Sequence, residues 1–437
     1  MDADRVLPAL RKHLLIDGFD LVLDLEASTG STLVDARDGS TYLDMFSFFA
    51  SNALGMNHPA FADDEVRQRL LRAAIHKPSN SDVYTRELAD FVSTFERVLG
   101  DQRLPYLFLI EGGALAVENA IKAAFDWKSR HNEMHGRDPA LGTKVLHLTN
   151  AFHGRTGYTM SLTNTDPNKI ARFPQFDWPR IPSPGLTFPL HDNETANVAA
   201  EDEALAAAER AFDAHPDDIA CFIAEPIQAE GGDRHLSARF LRRMQDLCYS
   251  YDVLFVLDEV QTGVGITGSP WCYQQLALAP DLVAFGKKTH VCGVMGGGRL
   301  DEVDDHVWQV PSRINSTFGG SLVDMVRASV IFDVIERDDL MARAESLGDK
   351  LVGMLEEVAA RHAAVSNVRG RGLLVAIDVP NAPIRNEISR RLRTEERVIL
   401  LGAGPRSLRF RPTMTAEEDE LEAAVEALDR VIRAVTD

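Results

Sequence analysis

Two apolar runs of the sequence each end in a residue that could do chemistry. Asp258 follows the run 253–257, and Lys287 follows the run 282–285 after one glycine. A carboxylate can keep the nitrogen of a pyridine ring protonated, and an amine can form an imine with an aldehyde on that ring. The pair therefore indicates pyridoxal phosphate. Taken alone, Asp258 also fits a helix cap or a metal ligand, and Lys287 with Lys288 also fits a solvated turn.

A pair of glycines could bind the phosphate of such a cofactor. Gly112 and Gly113 lie between a predicted strand and a helical pattern that starts at Ala114. Backbone N–H groups at a helix start, together with the helix dipole, favour an anion. The GxGxxG spacing of a dinucleotide-binding fingerprint is absent. An ordinary strand-to-helix turn explains this motif equally well when it is taken alone.

Further residues could bind a substrate. Phe152 follows a predicted strand and could stack on the face of a pyridine ring. Arg155 lies a few residues further on and could bind a carboxylate with its two-pronged donor geometry. Glu230 lies in a glycine-containing segment after another strand, and Arg409 lies on a strand near the C-terminus. Each of these charged side chains also fits a surface ion pair, and His153 receives no role.

Composition excludes several classes of partner. The chain has 437 residues and a net charge of −20, whereas nucleic acids and anionic membranes need an excess of Lys and Arg. No apolar run reaches the length of a membrane span, and no secretory signal is predicted. The four cysteines form no CxxC pair and show no zinc spacing, so neither a metal site nor disulfides are indicated. We expect a cytoplasmic protein with buried free thiols.

The elements that must position these residues alternate between strands and helices. Predicted strands are 107–110, 144–148, 219–224, 253–257 and 282–285, and predicted helices include 114–131 and 200–215. Such alternation is typical of βαβ units that build a parallel sheet. A proline-rich stretch, 173–189, reads as a long loop.

The character of the chain changes after about residue 320. A helical pattern over 322–362 and 384–394 is combined with strands 373–379, 398–401 and 408–411, which indicates a smaller α+β domain. The sequence therefore predicts an α/β protein with a large domain of residues 71–320 and a small domain of residues 321–437. An N-terminal segment, residues 1–70, with short strands at 21–25, 32–35 and 41–44, is expected to pack against the small domain.

The motifs occur in the order of a known enzyme family. In sequence order they are EGGALAVENAIK, FHGRT, EPIQAEGG, LDEVQTGVG, PDLVAFGK, NSTFGG and LRFRP. The set resembles the class III pyridoxal-phosphate aminotransferases and covers essentially the whole chain. This resemblance implies fold type I, with a mainly parallel seven-stranded sheet in the large domain. It also implies pyridoxal 5'-phosphate as the cofactor and a homodimer with shared active sites.

The resemblance also implies roles for individual residues. Lys287, at the family's fixed distance after Pro-Asp, is expected to bond to the cofactor, and Asp258 is expected to partner the ring nitrogen. The other expected cofactor contacts are Gly113, Ala114, Phe152, Val260, Gln261 and, from the neighbouring subunit, Thr317. The expected substrate contacts are Arg155, Glu230, Gln261, Asn315 and Arg409. Among these, Glu230 and Arg409 resemble a gating pair.

Within the class, stretches such as HKPSNSDVY and FGKKTHVCGVM resemble lysine 6-aminotransferases most. The implied reaction moves the ε-amino group of L-lysine to 2-oxoglutarate and yields 2-aminoadipate 6-semialdehyde, which cyclises, and L-glutamate. The alternatives are a 4-aminobutyrate or ornithine aminotransferase and, more remotely, a catalytically silent dimer. Ala114 stands where many members have a hydroxyl, so the phosphate must rely on backbone N–H groups and Thr317. Ile266 replaces a common arginine, which favours the lysine or 4-aminobutyrate branches.

Overall fold

Sixteen strands form four sheets in residues 1–436, the part of the chain that the computed structural model describes. The strands are β1 (Thr32–Val34), β2 (Thr41–Asp44), β3 (Tyr106–Ile110), β4 (Lys144–Leu148), β5 (Arg180–Ile181), β6 (Ile219–Ala224), β7 (Ile227–Gln228), β8 (Arg234–His235), β9 (Leu254–Asp258), β10 (Leu282–Phe285), β11 (Cys292–Gly296), β12 (Ser366–Arg371), β13 (Leu374–Asp378), β14 (Val398–Ile399), β15 (Leu401–Ala403) and β16 (Ser407–Phe410). The largest sheet has the order β3-β11-β10-β9-β6-β4-β5, and of its seven strands β11 runs antiparallel to both neighbours. The predicted α/β fold with a mainly parallel seven-stranded sheet is confirmed.

Thirteen helical segments connect and cover the sheets of the described residues. They are α1 (Val6–Leu10), α2 (Ser47–Ala50), α3 (Asp64–Ile75), α4 (Arg86–Leu99), α5 (Gly113–Met134), α6 (Gly157–Leu162), α7 (Leu190–Ala214), α8 (Ala238–Ser250), α9 (Cys272–Gln275), α10 (Leu322–Arg337), α11 (Leu340–Arg361), α12 (Ala382–Thr394) and α13 (Glu418–Thr436). The segment α2 is a left-handed turn, because Phe48 and Phe49 have φ angles of 51° and 61°. Over residues 1–436, no helix combines the length and apolar character that a membrane crossing needs.

The central strands of the large sheet are apolar because both faces of the sheet are covered. Every residue of β6, β9 and β10 is buried, as expected for parallel strands between two layers. Helix α5 packs on one face through small buried side chains, among them Ala116, Ala120 and Ala124. Small side chains allow the helix to lie close to the sheet, which places its first turn at the sheet's edge.

The parallel strands bring the predicted chemistry to one edge of the sheet. Strand β9 ends at Asp258, which lies opposite Ala284 of the parallel strand β10. Lys287 begins the turn that follows β10. Strands β3, β4 and β6 run in the same direction as β9, so the segments that follow them leave the sheet at this same edge. Ligands of open α/β sheets bind at such an edge.

The two ends of the chain meet in the smaller sheets. Strand β2 pairs with β1 and, in parallel, with β14, where Leu43 lies opposite Val398. Strands β12, β13, β16 and β15 form a four-stranded antiparallel sheet, on which α11 and α12 pack. The domain limits at residues 70 and 320 stay predictions.

Several observed elements differ from the predicted ones. Strand β11, for example, has no predicted counterpart. The predicted strand 21–25 is a single bridge between Leu23 and Asp35. The proline-rich stretch contains the two-residue strand β5, which joins the edge of the large sheet beside β4. The helical pattern over 322–362 is two helices, because Asp339 has a left-handed backbone with φ of 47° between α10 and α11. Such a conformation cannot continue a right-handed helix.

Candidate active site

A cavity of about 510 Å³ opens at the edge of the large sheet where the strands end. It brings together nine of the twelve residues that the sequence nominated: Gly113, Ala114, Phe152, Arg155, Glu230, Asp258, Val260, Gln261 and Lys287. The other three, Arg409, Asn315 and Thr317, are not among its lining residues. Within residues 1–436 the lining also includes residues that received no role from the sequence, notably Phe48, Phe49, His153, Lys169 and Glu225.

The two neighbouring lysines have opposite environments. Lys287 lines the cavity, and its Nζ donates a hydrogen bond to the carbonyl oxygen of Phe49 at 2.9 Å. Lys288 is 1% exposed, and its Nζ donates to the carbonyl oxygens of Gln261 at 2.9 Å and Ala50 at 3.2 Å. Its amine is therefore occupied in the protein interior. Of the two, Lys287 has the amine that a ligand in the cavity can reach.

The surroundings of Lys287 favour its neutral form. Burial, and after it the positive charge of Arg409, lowers the pKa of Lys287 to about 8, because both disfavour an ammonium ion. The backbone of Lys287 is left-handed, with φ of 56°, a conformation that costs a non-glycine residue about 1–2 kcal/mol. Backbone strain of this kind clusters at functional sites.

Asp258 is held in place by two hydrogen bonds. Its Oδ2 lies 2.8 Å from Nδ1 of His153, and its Oδ1 accepts the N–H of Val260 at 3.1 Å. Because a carboxylate oxygen accepts, Nδ1 of His153 carries the proton of this bond. The other ring nitrogen of His153 is buried and has no hydrogen-bond partner in residues 1–436. His153, to which sequence analysis gave no role, therefore orients the carboxylate.

Glu225 is a second buried carboxyl group, to which sequence analysis assigned no role. Its two oxygens accept the N–H groups of Phe152 at 2.9 Å and Ala229 at 3.2 Å. Burial, and after it the charge of Asp258, raises the pKa of Glu225 well above its ordinary value. A neutral Glu225 does not repel Asp258. Its two hydrogen bonds connect the segments that follow β4 and β6. Its position directly after β6 was the available sequence signal.

The glycines at the start of α5 leave room for a phosphate. Gly113 is the first residue of α5, and no side chain of the described residues caps this helix. A Cβ atom on Gly113 would lie 3.1 Å from Cγ1 of Val260. Glycine at this position therefore allows the start of α5 to lie close to Val260, and the free backbone N–H groups and the dipole of the helix favour an anion there.

The cavity residues fit pyridoxal 5'-phosphate. The donor set contains an anion-binding helix start, a fixed carboxylate and a lysine amine. Phe152 and Val260 supply apolar surface for an aromatic ring. The Oε1 atom of Gln261 is buried and has no partner among the described residues, so it can accept a hydrogen bond from a hydroxyl group. The cavity thus offers a suitable group for each part of the cofactor: the phosphate, the pyridine nitrogen, the aldehyde and the ring hydroxyl.

Glu230 covers the buried guanidinium of Arg409. Arg409 lies on β16 and is 1% exposed, and its Nη2 donates to Oε1 of Glu230 at 2.6 Å. Burial by itself raises the pKa of Glu230, but the charge and hydrogen bond of Arg409, followed by the charge of Lys169, lower it to about 2. Arg155 is exposed at the cavity and forms no ion pair within residues 1–436. The site therefore holds one covered and one open arginine.

Asn315 and Thr317 lie away from the cavity of their own chain. Both residues are exposed, and the backbone oxygen of Thr317 accepts a hydrogen bond from Oγ of Ser79 at 2.6 Å. The expectation that Asn315 and Thr317 contact substrate and phosphate is therefore not met within one chain. For Thr317 the sequence had already placed the contact in a neighbouring subunit, and an exposed segment is available for such a contact.

A left-handed turn near the N-terminus completes the cavity. Ser47, Phe48, Phe49 and Ala50 have positive φ angles from 39° to 61°, although none of them is glycine. The turn places the Phe48 and Phe49 side chains in the cavity wall, and its carbonyl groups accept the hydrogen bonds of both lysines. Sequence analysis missed this segment because no turn signal marks it.

Known proteins resemble this chain over nearly its whole length. The L-lysine-epsilon aminotransferase of Mycobacterium tuberculosis is 57% identical over 435 residues, which cover 99% of this chain and 96% of that protein. The solved structure of lysine aminotransferase from M. tuberculosis has a TM-score of 0.98 and 56% identity, and the match covers 100% of both chains. The 4-aminobutyrate aminotransferase of Kluyveromyces lactis is more distant, at 31% identity over 432 residues, covering 94% of this chain and 90% of that protein.

The family model described as aminotransferase class III matches residues 18–432. This range contains the strands, the glycine pair, both lysines and every residue of the cavity described above. The sequence motifs, the sheet and the long matches to known proteins agree. The chain therefore belongs to the class III aminotransferases, which are pyridoxal-phosphate-dependent transferases.

Proposed function

We propose that this aminotransferase moves the ε-amino group of L-lysine to 2-oxoglutarate and produces 2-aminoadipate 6-semialdehyde and L-glutamate. The observation that carries the proposal is Glu230 closed over Arg409 at 2.6 Å, while Arg155 stays open in the same cavity. An amine donor with one distant carboxylate needs one arginine and no positive charge beside its reacting end. The names of the relatives with more than 50% identity support lysine as that donor.

The cofactor of this family is pyridoxal 5'-phosphate. When bound, it supplies an electron sink that allows the carbon–hydrogen bond next to the substrate nitrogen to break. We assign its phosphate to the first turn of α5 at Gly113 and Ala114, and its ring to the space between Phe152 and Val260. Gln261 would accept the hydrogen bond of the ring hydroxyl.

Lys287 and Asp258 are the proposed catalytic residues. Nζ of Lys287 would take the proton from the substrate carbon that bears the reacting amine and would deliver it to the aldehyde carbon of the cofactor, which requires a neutral amine. Its pKa of about 8 keeps part of this amine unprotonated near neutral pH. Asp258, oriented by His153 and the N–H of Val260, offers a fixed negative charge that would hold a proton on the ring nitrogen.

The two arginines would bind the carboxylates of the two substrates. L-Lysine would bind its α-carboxylate at Arg155 and present its ε-amine to Lys287. 2-Oxoglutarate has a carboxylate at each end, so Glu230 would leave Arg409 and let the second carboxylate bind there. Bidentate binding of carboxylates is the geometry for which arginine is suited. One site can therefore accept two unlike substrates in turn.

We further propose a homodimer in which Thr317 and Asn315 of each chain reach the neighbouring active site. Their exposed position outside their own cavity supports this arrangement. The homodimer and a cytoplasmic location stay predictions, as does the assignment of L-glutamate as product.

Isotope transfer tests the proposed reaction. L-Lysine labelled with heavy nitrogen at the ε position is incubated with the enzyme and 2-oxoglutarate, and the glutamate is analysed by mass spectrometry. We expect the label in glutamate and none when the label is at the α position. 4-Aminobutyrate and ornithine serve as competing donors, and faster turnover of either one would contradict the proposal.

A further inference from the structure

Lys169 is a cavity residue to which neither the motifs nor the proposed mechanism gives a role. It ends the short helical turn Pro167–Lys169, whose first residues are fixed by Asp166, since that side chain accepts the N–H of Asn168. Its amine lies 3.5 Å from Oε2 of Glu230 and 4.9 Å from the centre of the Phe152 ring. The side chain is 19% exposed, so this amine is directed into the cavity wall more than into solvent.

One carboxylate therefore meets two cations. Oε1 of Glu230 is bound by Arg409 at 2.6 Å, and Oε2 faces Lys169 at 3.5 Å. Arg409 comes from β16, whereas Lys169 comes from the segment after α6, so the two cations belong to different parts of the fold. We infer that Lys169 is a positioning residue that receives Glu230 when a dicarboxylate displaces it from Arg409. This inference rests on the proposed function.

The electrostatics of Glu230 make a second cation necessary. Burial raises the pKa of Glu230, and the charge and hydrogen bond of Arg409 lower it, so a carboxylate that leaves Arg409 keeps its charge only where another cation lies close to it. The side chain is 22% exposed, which means that a carboxylate released from Arg409 has lost part of its hydration. A charge in such a place is costly unless an opposite charge accompanies it. Lys169 supplies that charge within the reach of one side chain.

The inference predicts an effect on one class of ligand. Without the amine of Lys169, Glu230 leaves Arg409 less readily, so ligands with two carboxylates bind more weakly. A ligand with one carboxylate binds at Arg155 and leaves Glu230 on Arg409, so its affinity changes much less. Lys169 would thus set the balance between the two substrates of the reaction.

Calorimetric titration of the holoenzyme tests this inference without turnover. Glutarate, an unreactive dicarboxylate of the same length as 2-oxoglutarate, is compared with hexanoate, which has one carboxylate. In Lys169→Met we expect the dissociation constant for glutarate to rise about fivefold, the effect of one partly exposed ion pair. The constant for hexanoate should change less than twofold, and Lys169→Arg should restore glutarate binding.

A double variant separates positioning from direct contact. In Glu230→Ala, Arg409 is already uncovered, so adding Lys169→Met should leave glutarate binding unchanged. A further fivefold loss in the double variant would mean that Lys169 binds the ligand itself, and equal losses for both ligands would mean a general charge effect. Either result overturns the inference. Neither depends on whether L-lysine is the donor, which the isotope experiment decides separately.

Discussion

At the scale of single residues, Lys287 and Lys288 are adjacent in sequence but differ in access to the cavity. Lys287→Ala should reduce turnover by about 10²- to 10⁴-fold or more, because the proposed proton transfer loses its base. Lys288→Met keeps the volume of the buried chain but removes its bonds to Gln261 and Ala50. It should lower thermal stability and retain cofactor bonding. Borohydride reduction followed by peptide mapping checks this, and label on Lys288 would contradict the assignment.

The pKa of Lys287 predicts a pH dependence of stability. Its folded-state pKa of about 8 lies below its ordinary value of 10.5, so between these values the unfolded chain binds more protons. The free energy of unfolding of the cofactor-free protein should therefore rise with pH from about 8 to 10.5 relative to Lys287→Met. Chemical denaturation of both proteins across this range measures the difference. A difference that falls with rising pH would contradict the lowered pKa.

The pair of Glu230 and Arg409 predicts a change in substrate preference. In Glu230→Ala the guanidinium of Arg409 is uncovered next to the reacting position, so an amino acid can bind there through its α-carboxylate. The rate of the half-reaction with glutamate, divided by the rate with L-lysine, should rise about tenfold. This ratio corresponds to a change of about 1.4 kcal/mol in the difference between the two activation free energies. Single-turnover absorbance measurements follow the two halves separately. Equal slowing of both would indicate a structural role for Glu230.

Much of the cavity could be predicted from sequence because parallel strands end at a common edge. Asp258 and Lys287 each follow an apolar run, and that pattern alone places them near each other. The roles of His153 and Phe49 could not be predicted in this way. The role of His153 depends on the orientation of its ring. The role of Phe49 depends on a contact with Lys287, which is 238 positions away in sequence.

At the scale of elements, the start of α5 packs against the segment that follows β4. Gly154 has φ of 122°, and a Cβ atom there would lie 2.4 Å from Cβ of Ala114. Gly154→Ala should push this segment away from the first turn of α5 and weaken binding of pyridoxal 5'-phosphate by about tenfold, since overpacking costs about 1–3 kcal/mol. Titration of the cofactor-free protein measures the dissociation constant.

Gly136 provides a matched control for Gly154. It lies just beyond the other end of α5 with φ of 70°, and a Cβ atom there would have no neighbour within 4 Å among the described residues. Gly136→Ala therefore also places a side chain on a residue with positive φ, but without the steric contact. It should lower the melting temperature and leave cofactor affinity nearly unchanged. Equal loss of affinity in both variants would show that backbone strain, not contact with Ala114, is responsible.

The elements themselves were predicted best where they are buried. The predicted strands 144–148, 219–224 and 282–285 agree with β4, β6 and β10, and in β6 and β10 a continuous apolar run reports burial on both faces. The split between α10 and α11 escaped prediction, since the helical periodicity continues on both sides of Asp339. Strand β5 also escaped, because two residues give no periodic pattern.

At the scale of the whole molecule, the proposed homodimer with shared active sites predicts complementation between two inactive variants. A Lys287→Ala subunit lacks its own base but still offers Thr317 to its neighbour. A Thr317→Asp subunit has an intact cavity but, in the proposed dimer, would direct a negative charge at the neighbour's phosphate. Mixed dimers should have about half of the wild-type activity per dimer, because one of two sites is complete. Differently tagged subunits allow isolation of the mixed dimer, and an inactive mixed dimer would contradict shared sites.

The pairing of β2 with β14 has a consequence for biosynthesis. Leu43 leaves the ribosome long before its partner Val398, and at roughly 5–20 residues per second the delay is roughly 20 to 70 s. During this time the apolar cluster of Leu33, Tyr42 and Phe46 lacks Ile399, which completes it. A nascent chain that carries an unpaired apolar strand for so long is open to aggregation. Chaperones would thus have to bind the segment around β2 until β14 has emerged. A stalled or truncated message would leave this segment without its partner strand.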